Sequence, residues 1–198
     1  MVLPYLATKV IKEEVIREDV ILPTYDLIFL NESRVYGNIT ARRIDARSDL
    51  FCYGNISVLG DSLRCEDLNV KDLSVFWTIH GNNISAKNIK CGLRLSANNV
   101  IAEEDIVVEG NIGAKERIKG RNILTYGGEY ISGRIIECEL GYGIYAGVCG
   151  PHDKSTKVSA EKIFPDVSHV RIGTVDIRNL NKEMAPIQSQ PKKVLARK

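Results

Sequence analysis

From Gly37 onward an aliphatic residue returns every five to seven positions, and two residues after it comes a small or β-branched one. Ile39-Thr-Ala41, Ile44-Asp-Ala46 and Leu50-Phe-Cys52 are the first such units, and Ile106-Val-Val108, Ile112-Gly-Ala114 and Ile118-Lys-Gly120 are among the last clear ones. Apolar residues at i and i+2 flanking an outward residue describe a short strand with one buried face. Neither a 3.6-residue period nor a recurring hairpin signal connects the units, so helices and antiparallel meanders fit poorly. Every third unit falls in register: Ile39, Ile56, Leu73, Ile89, Ile106 and Ile123 are 17, 17, 16, 17 and 17 residues apart. A period of that length over short strands predicts an all-β fold, a single-stranded parallel β-helix with three sides and about 17 residues per coil.

Stacking such coils puts like residues above like. The column before the first strand reads Asn38, Asn55, Asp72, Asn88, Asp105, Asn122, and is expected to form a side-chain hydrogen-bond ladder at one corner. A second column, Asp49, Asp67, Asn83, Asn99, precedes the third strand. Cys52, Cys65, Cys91 and Cys138 all fall at the inward small position, where a thiol acts as a small hydrophobe. The triplets at Asn31, Asn38, Asn55 and Asn83 match a glycosylation pattern, but three of them are by-products of the repeat.

The regular solenoid is expected over 37–138. Residues 1–36, with Val-Ile pairs at Val10, Val15 and Val20, read as an extended segment, an early irregular coil or a cap rather than an amphipathic helix. Glycine-rich turns loosen the pattern over 139–181, where the phase is carried on by Leu140, Val158 and Val175, with a protruding loop at 149–157. Residues 182–198 read as a flexible basic tail.

Composition sharpens this only in part. Of 198 residues, 44% are hydrophobic and 26% charged, ordinary for a globular chain, and the net charge is +2. Lys and Arg equal Asp and Glu over 37–138, at 13 each, which argues against a continuous phosphate-binding stripe. The basic excess sits in 151–198, with 10 against 5. The N-terminal stretch lacks the apolar core of a signal peptide or membrane span, and five cysteines carry no motif spacing. A cytoplasmic location is expected.

The stretch from GNITARRIDA to VVEGNIGAKERIKG, about half the chain, resembles bactofilins, the polymer-forming cytoskeletal family of bacteria. The likeness lies in architecture and repeat style. It implies a right-handed triangular β-helix that associates with itself. Hexapeptide acyltransferases and pentapeptide-repeat proteins hold strict six- and five-residue steps, which this chain breaks.

Few residues invite chemistry. Cys149 and His152 flank a turn, too few for a structural zinc site, and His80 and His169 have no evident acid partner. The carboxylates Asp45, Asp61, Glu66, Asp67 and Asp72 are scattered rather than gathered as in sugar-cleaving β-helices. No catalytic residue, cofactor or metal ligand is assigned. Phe76 and Trp77 interrupt the polar exterior and, with Phe51, Tyr53 and Tyr36 as neighbours, form a candidate docking patch. Lys192, Lys193, Arg197 and Lys198 are candidate tail contacts to nucleic acid or anionic membrane. The expectation is a non-enzymatic scaffold partnered by itself or another assembly protein. The alternatives are a phage, virus or cell-surface module recognising carbohydrate or protein, and a polysaccharide-active enzyme.

Overall fold

The computed structural model describes residues 7–127, 130–148 and 156–172, and these form a parallel β-solenoid of about eight coils. Twenty-one short strands make one sheet wrapped around three faces, here A, B and C in chain order. Each side of a coil is brief, because the chain must turn after burying two side chains, and several strands run on around a corner from one face to the next.

Face A stacks Val20, Ile39, Ile56, Leu73, Ile89 and Ile106, then Ile123, Ile144 and Val170, each paired in parallel with the next. Face B stacks Leu27, Ile44, Leu63, Ile79 and Leu95, then Ile112, Ile131 and Val158. Face C stacks Leu50, Leu68, Ile84, Val100, Ile118, Ile136 and Ile163. Nearly all of these are fully buried, and they meet in one continuous core. Burying an aliphatic side chain of this size stabilises by about 1.5–3 kcal/mol, so the columns are the main favourable contribution. The second inward position of most strands holds Ala, Val, Cys or Gly because three walls converge there, with Phe29 near the N-terminal end and Thr125 among the exceptions.

The corner ladder forms as expected and begins one rung earlier, at Asp19. Asp19 Oδ1 accepts from the Asn38 amide nitrogen of the backbone at 2.6 Å, and Asn38 Oδ1 accepts from Asn55 N–H at 2.9 Å. Asn88 Nδ2 donates to Asp72 at 2.9 Å, Asn88 Oδ1 accepts from Asp105 N–H at 3.3 Å, and Asn122 donates its side-chain amide to Asp105 at 3.0 Å. The second column forms too: Asp67 Oδ1 accepts from Asn83 Nδ2 at 2.8 Å, and Asn99 Nδ2 donates to Asn83 Oδ1 at 2.7 Å. The amides of Asn38 and Asn83 are therefore structural groups.

The solenoid starts well before Gly37. The strand Ala7–Ile11 pairs with Tyr25–Phe29, and Val15–Ile16 pairs with Arg34–Val35, so residues 7–36 build coils instead of a separate cap. Lys9 stands over Leu27 at this end, an exposed charge where the aliphatic column stops.

Beyond Ile123 the expected phase is corrected. Leu140 is 78% exposed, in a turn with Gly141 at φ 93, and Ile144 continues face A in its place. Val158 belongs to face B, over Ile131, and Val175 lies outside the described residues. The coil lengthens from 17 residues to 21 and then 26 while the columns keep their stacking. Of the loop expected at 149–157, Lys157 opens the strand Lys157–Ser159, and 149–155 lie outside the described residues.

One feature of the longer coils lies outside the barrel. Gly147, at φ 69, turns the chain back over face A, where Val148 covers the outward side chains of Leu124 and Tyr145 in a second small core. Thr125 anchors the turn, its Oγ1 accepting from Gly147 N–H and its carbonyl from Val148 N–H, both at 3.0 Å.

Candidate functional site

The sequence-expected aromatic patch divides in two. Tyr36 and Tyr53 occupy the corner between faces C and A, stacked with centroids 4.8 Å apart and planes 9° from parallel. Arg17 lies over Tyr36, and Arg34 over Phe51, an outward residue of face C. Phe76 and Trp77 sit at a different corner, between faces A and B, with centroids 6.1 Å apart. Leu59 and Leu93 flank them one coil away on either side, all four being about half exposed. Sequence nearness had merged residues that the triangular coil sends to separate edges. Lys192, Lys193, Arg197, Lys198, Cys149 and His152 lie outside the described residues.

The four described cysteines are unpaired and buried. Desolvation pushes the Cys65 thiol up to about 12 and the Cys52 and Cys138 thiols to about 11. Cys91 Sγ rests 3.2 Å from the Trp77 and Arg94 carbonyls. Protonated thiols in this setting are packing groups rather than nucleophiles. His169 lies in a short 3-10 turn, Val167–His169, and has the acid neighbour its sequence did not suggest, Asp166, with Nδ1 3.4 Å from Asp166 Oδ1. Among the described residues no group of His, Cys, Asp and Glu is arranged to hold a metal ion. No helix among them is long and apolar enough to cross a membrane.

A site that sequence reading did not assemble runs along face B. A shallow groove of about 700 Å³ follows the outward positions of five successive coils, with Arg64, His80, Ser96, Gly113 and Ser132 as its floor. Asn98 and Lys115 line one side, and Tyr130 its C-terminal end. At a coil rise of about 4.8 Å, the floor spans roughly 19 Å along the solenoid axis.

Several charges on other faces and corners are matched: Lys119 meets Glu137 at 3.0 Å, Arg134 meets Glu116 at 2.6 Å, and Arg121 meets Asp105 at 3.2 Å. In the groove, the side chains of Arg64, His80, Ser96, Lys115 and Ser132 form no hydrogen bond or ion pair with any described residue. Glu66 is the groove's single carboxylate. The lone signal in the sequence was Gly113, a glycine at an outward strand position with no turn to explain it.

Compared with protein-family models, curated proteins and solved structures, the chain matches none.

Proposed function

We propose that this chain is a non-enzymatic structural protein, a rigid β-solenoid rod that joins copies of itself or another assembly protein through its coil ends. The supporting observation is the state of the last described coil. Val158, Ile163 and Val170 are the last described members of the three inward columns and are half-buried, and no described residue pairs with the far edges of Lys157–Ser159, Lys162–Phe164 and Val170–Ile172. Parallel edges over apolar columns favour the addition of further strands. The bactofilin-like repeat style agrees with this reading, and the four buried, unpaired thiols suit a reducing, cytoplasmic setting.

Sedimentation velocity across a wide concentration range tests the proposal. Association that grows with concentration and is abolished by Ile163→Glu, with circular dichroism unchanged, is the expected result. A monomer at every concentration sinks it. A second reading, a module that recognises carbohydrate, is favoured by the unpaired polar groove on face B.

A further inference from the structure

Gly113 sits inside the strand Asn111–Gly120, at an outward position of face B. Strand interiors disfavour glycine, and where one occurs the usual reason is a bulge, a tight neighbour, a special backbone angle or the close approach of another molecule. The first three reasons fail here. The strand's register shift falls beyond Ala114, and Gly113 itself pairs in register with Ser96. A Cβ built on Gly113 would meet only the Tyr130 ring edge, at 3.9 Å, which is ordinary contact. Among the described residues positive φ occurs at Gly141 and Gly147 alone. The contrast with neighbouring glycines is sharp: a Cβ on Gly92 or Gly110 would come within 1.9 Å of a carbonyl oxygen of the coil before. Those two are demanded by the fold, and Gly113 is not.

The missing side chain opens the middle of the face B floor, between Ser96 and Ser132. We propose that this groove is a binding site for a linear acidic oligosaccharide, which lies along the solenoid axis with its chain over Gly113. This deepens the second reading above and is independent of how the coil ends associate, because the groove lies on a lateral face. Five features of the ligand follow from the floor. It is linear, because the polar groups recur once per coil in a straight row. It is rich in hydroxyls, because Ser96, Ser132, His80 and the Asn98 carbonyl offer small donors and acceptors with no competing partner. It is acidic, because Arg64 and Lys115, about three coils or roughly 14 Å apart, form no ion pair, and the nearby carboxylates, Asp45 beside Arg64 in the strand pairing and Glu66, lie at the Arg64 end only. It presents a C–H face to the Tyr130 ring at one end. It passes close to the backbone at Gly113.

Other polymers fit less well. Nucleic acid binding draws on many phosphate contacts and successive stacking rings, and the groove has two cations and one ring. An extended peptide adds to an open sheet edge, and face B has none along its length.

Titration of the full chain with hexameric oligogalacturonate, followed by calorimetry or amide shifts, tests the assignment against two controls, neutral cellohexaose and a single-stranded thymidine dodecamer. Saturable binding of the acidic hexamer is expected, weakened about tenfold by Arg64→Ala or Lys115→Ala. Gly113→Gln is expected to abolish binding while leaving the thermal midpoint unchanged or raised, which separates a lost site from a lost fold. Ile163→Glu is expected to leave binding intact, so failure of the scaffold reading and failure of this one are read in different samples. The proposal is overturned by the absence of saturable binding, by equal affinity for cellohexaose, by tighter binding of the thymidine strand, or by wild-type affinity in Gly113→Gln.

Discussion

Asn88 is a rung of the corner ladder held by three side-chain hydrogen bonds. Its Nδ2 donates to Asp72 Oδ1 at 2.9 Å and to Glu104 Oε2 at 3.1 Å, and its Oδ1 accepts from Asp105 N–H at 3.3 Å. Asn88→Ala removes all three contacts and leaves the backbone N–H of Asp105 without its partner. At about 1 kcal/mol net for each hydrogen bond in a half-buried setting, the loss comes to ~3 kcal/mol. For a chain of this size that lowers the thermal midpoint by about 6–12 °C. Asn88→Asp keeps the acceptor and the shape but sets a third carboxylate between Asp72 and Glu104. It is expected to cost at least as much as alanine at low ionic strength, and less as salt screens the repulsion. Thermal and urea melts measure both. Because each coil contacts only its neighbours, hydrogen exchange should quicken first at Asp105 and the coils beside it. A loss below ~1 kcal/mol for Asn88→Ala, or exchange raised evenly along the rod, would refute the view that the ladder fastens one coil to the next.

The corrected phase beyond Ile123 gives a paired test. Ile144→Ala should cost about 2–5 kcal/mol, as for a buried aliphatic, whereas Leu140→Ser at its exposed turn should stay within ~0.5 kcal/mol, both by urea melts. Glycine chemistry provides another: Gly92→Ala drives a Cβ into the Phe76 carbonyl and should cost about 1–3 kcal/mol or more, while Gly113→Ala should be neutral or stabilising. The thiols set an alkaline limit. Their folded pKa values lie above the reference of 9.0, at about 11 for Cys52 and Cys138 and about 12 for Cys65, so unfolding releases protons above pH 9. Their stabilising contribution is full below pH 9 and falls as pH rises towards 11–12. In a Cys149→Ser background, iodoacetamide at pH 8.5 should label the native chain slowly and the urea-unfolded chain quickly.

The sequence revealed the fold wherever one residue type had to serve one place in the coil. Aliphatic spacing marked the inward columns from Ile39 to Ile123, and the Asn and Asp column marked the corner that each side chain must bridge. Its reading failed where corners grew. Leu140 keeps the 17-residue count but not the stacking, because a turn inserted around Gly141 moves the inward position on to Ile144. The groove was hidden for a different reason: Arg64, His80, Ser96 and Ser132 are unremarkable outward residues, 16, 16 and 36 positions apart, and only stacking brings them into one row. Phe51 and Phe76 show the converse, close enough in the chain to suggest one patch and placed by the triangle on different edges.

Coils of 16, 17, 21 and 26 residues stack in one register because the interior is indifferent to what the corners carry. The rod's length is therefore quantised. Excising residues 89–105, one whole coil, sets Ile106 directly upon Leu73 and keeps every column aliphatic, so the product should be a shorter rod by one strand spacing, about 4.8 Å. Loss of a single residue from within a strand instead turns its interior residues outward. Lengthening or shortening by duplication thus preserves folding where point-sized insertions into strands do not, and a rod of this kind can change its reach between descendants without redesigning its core.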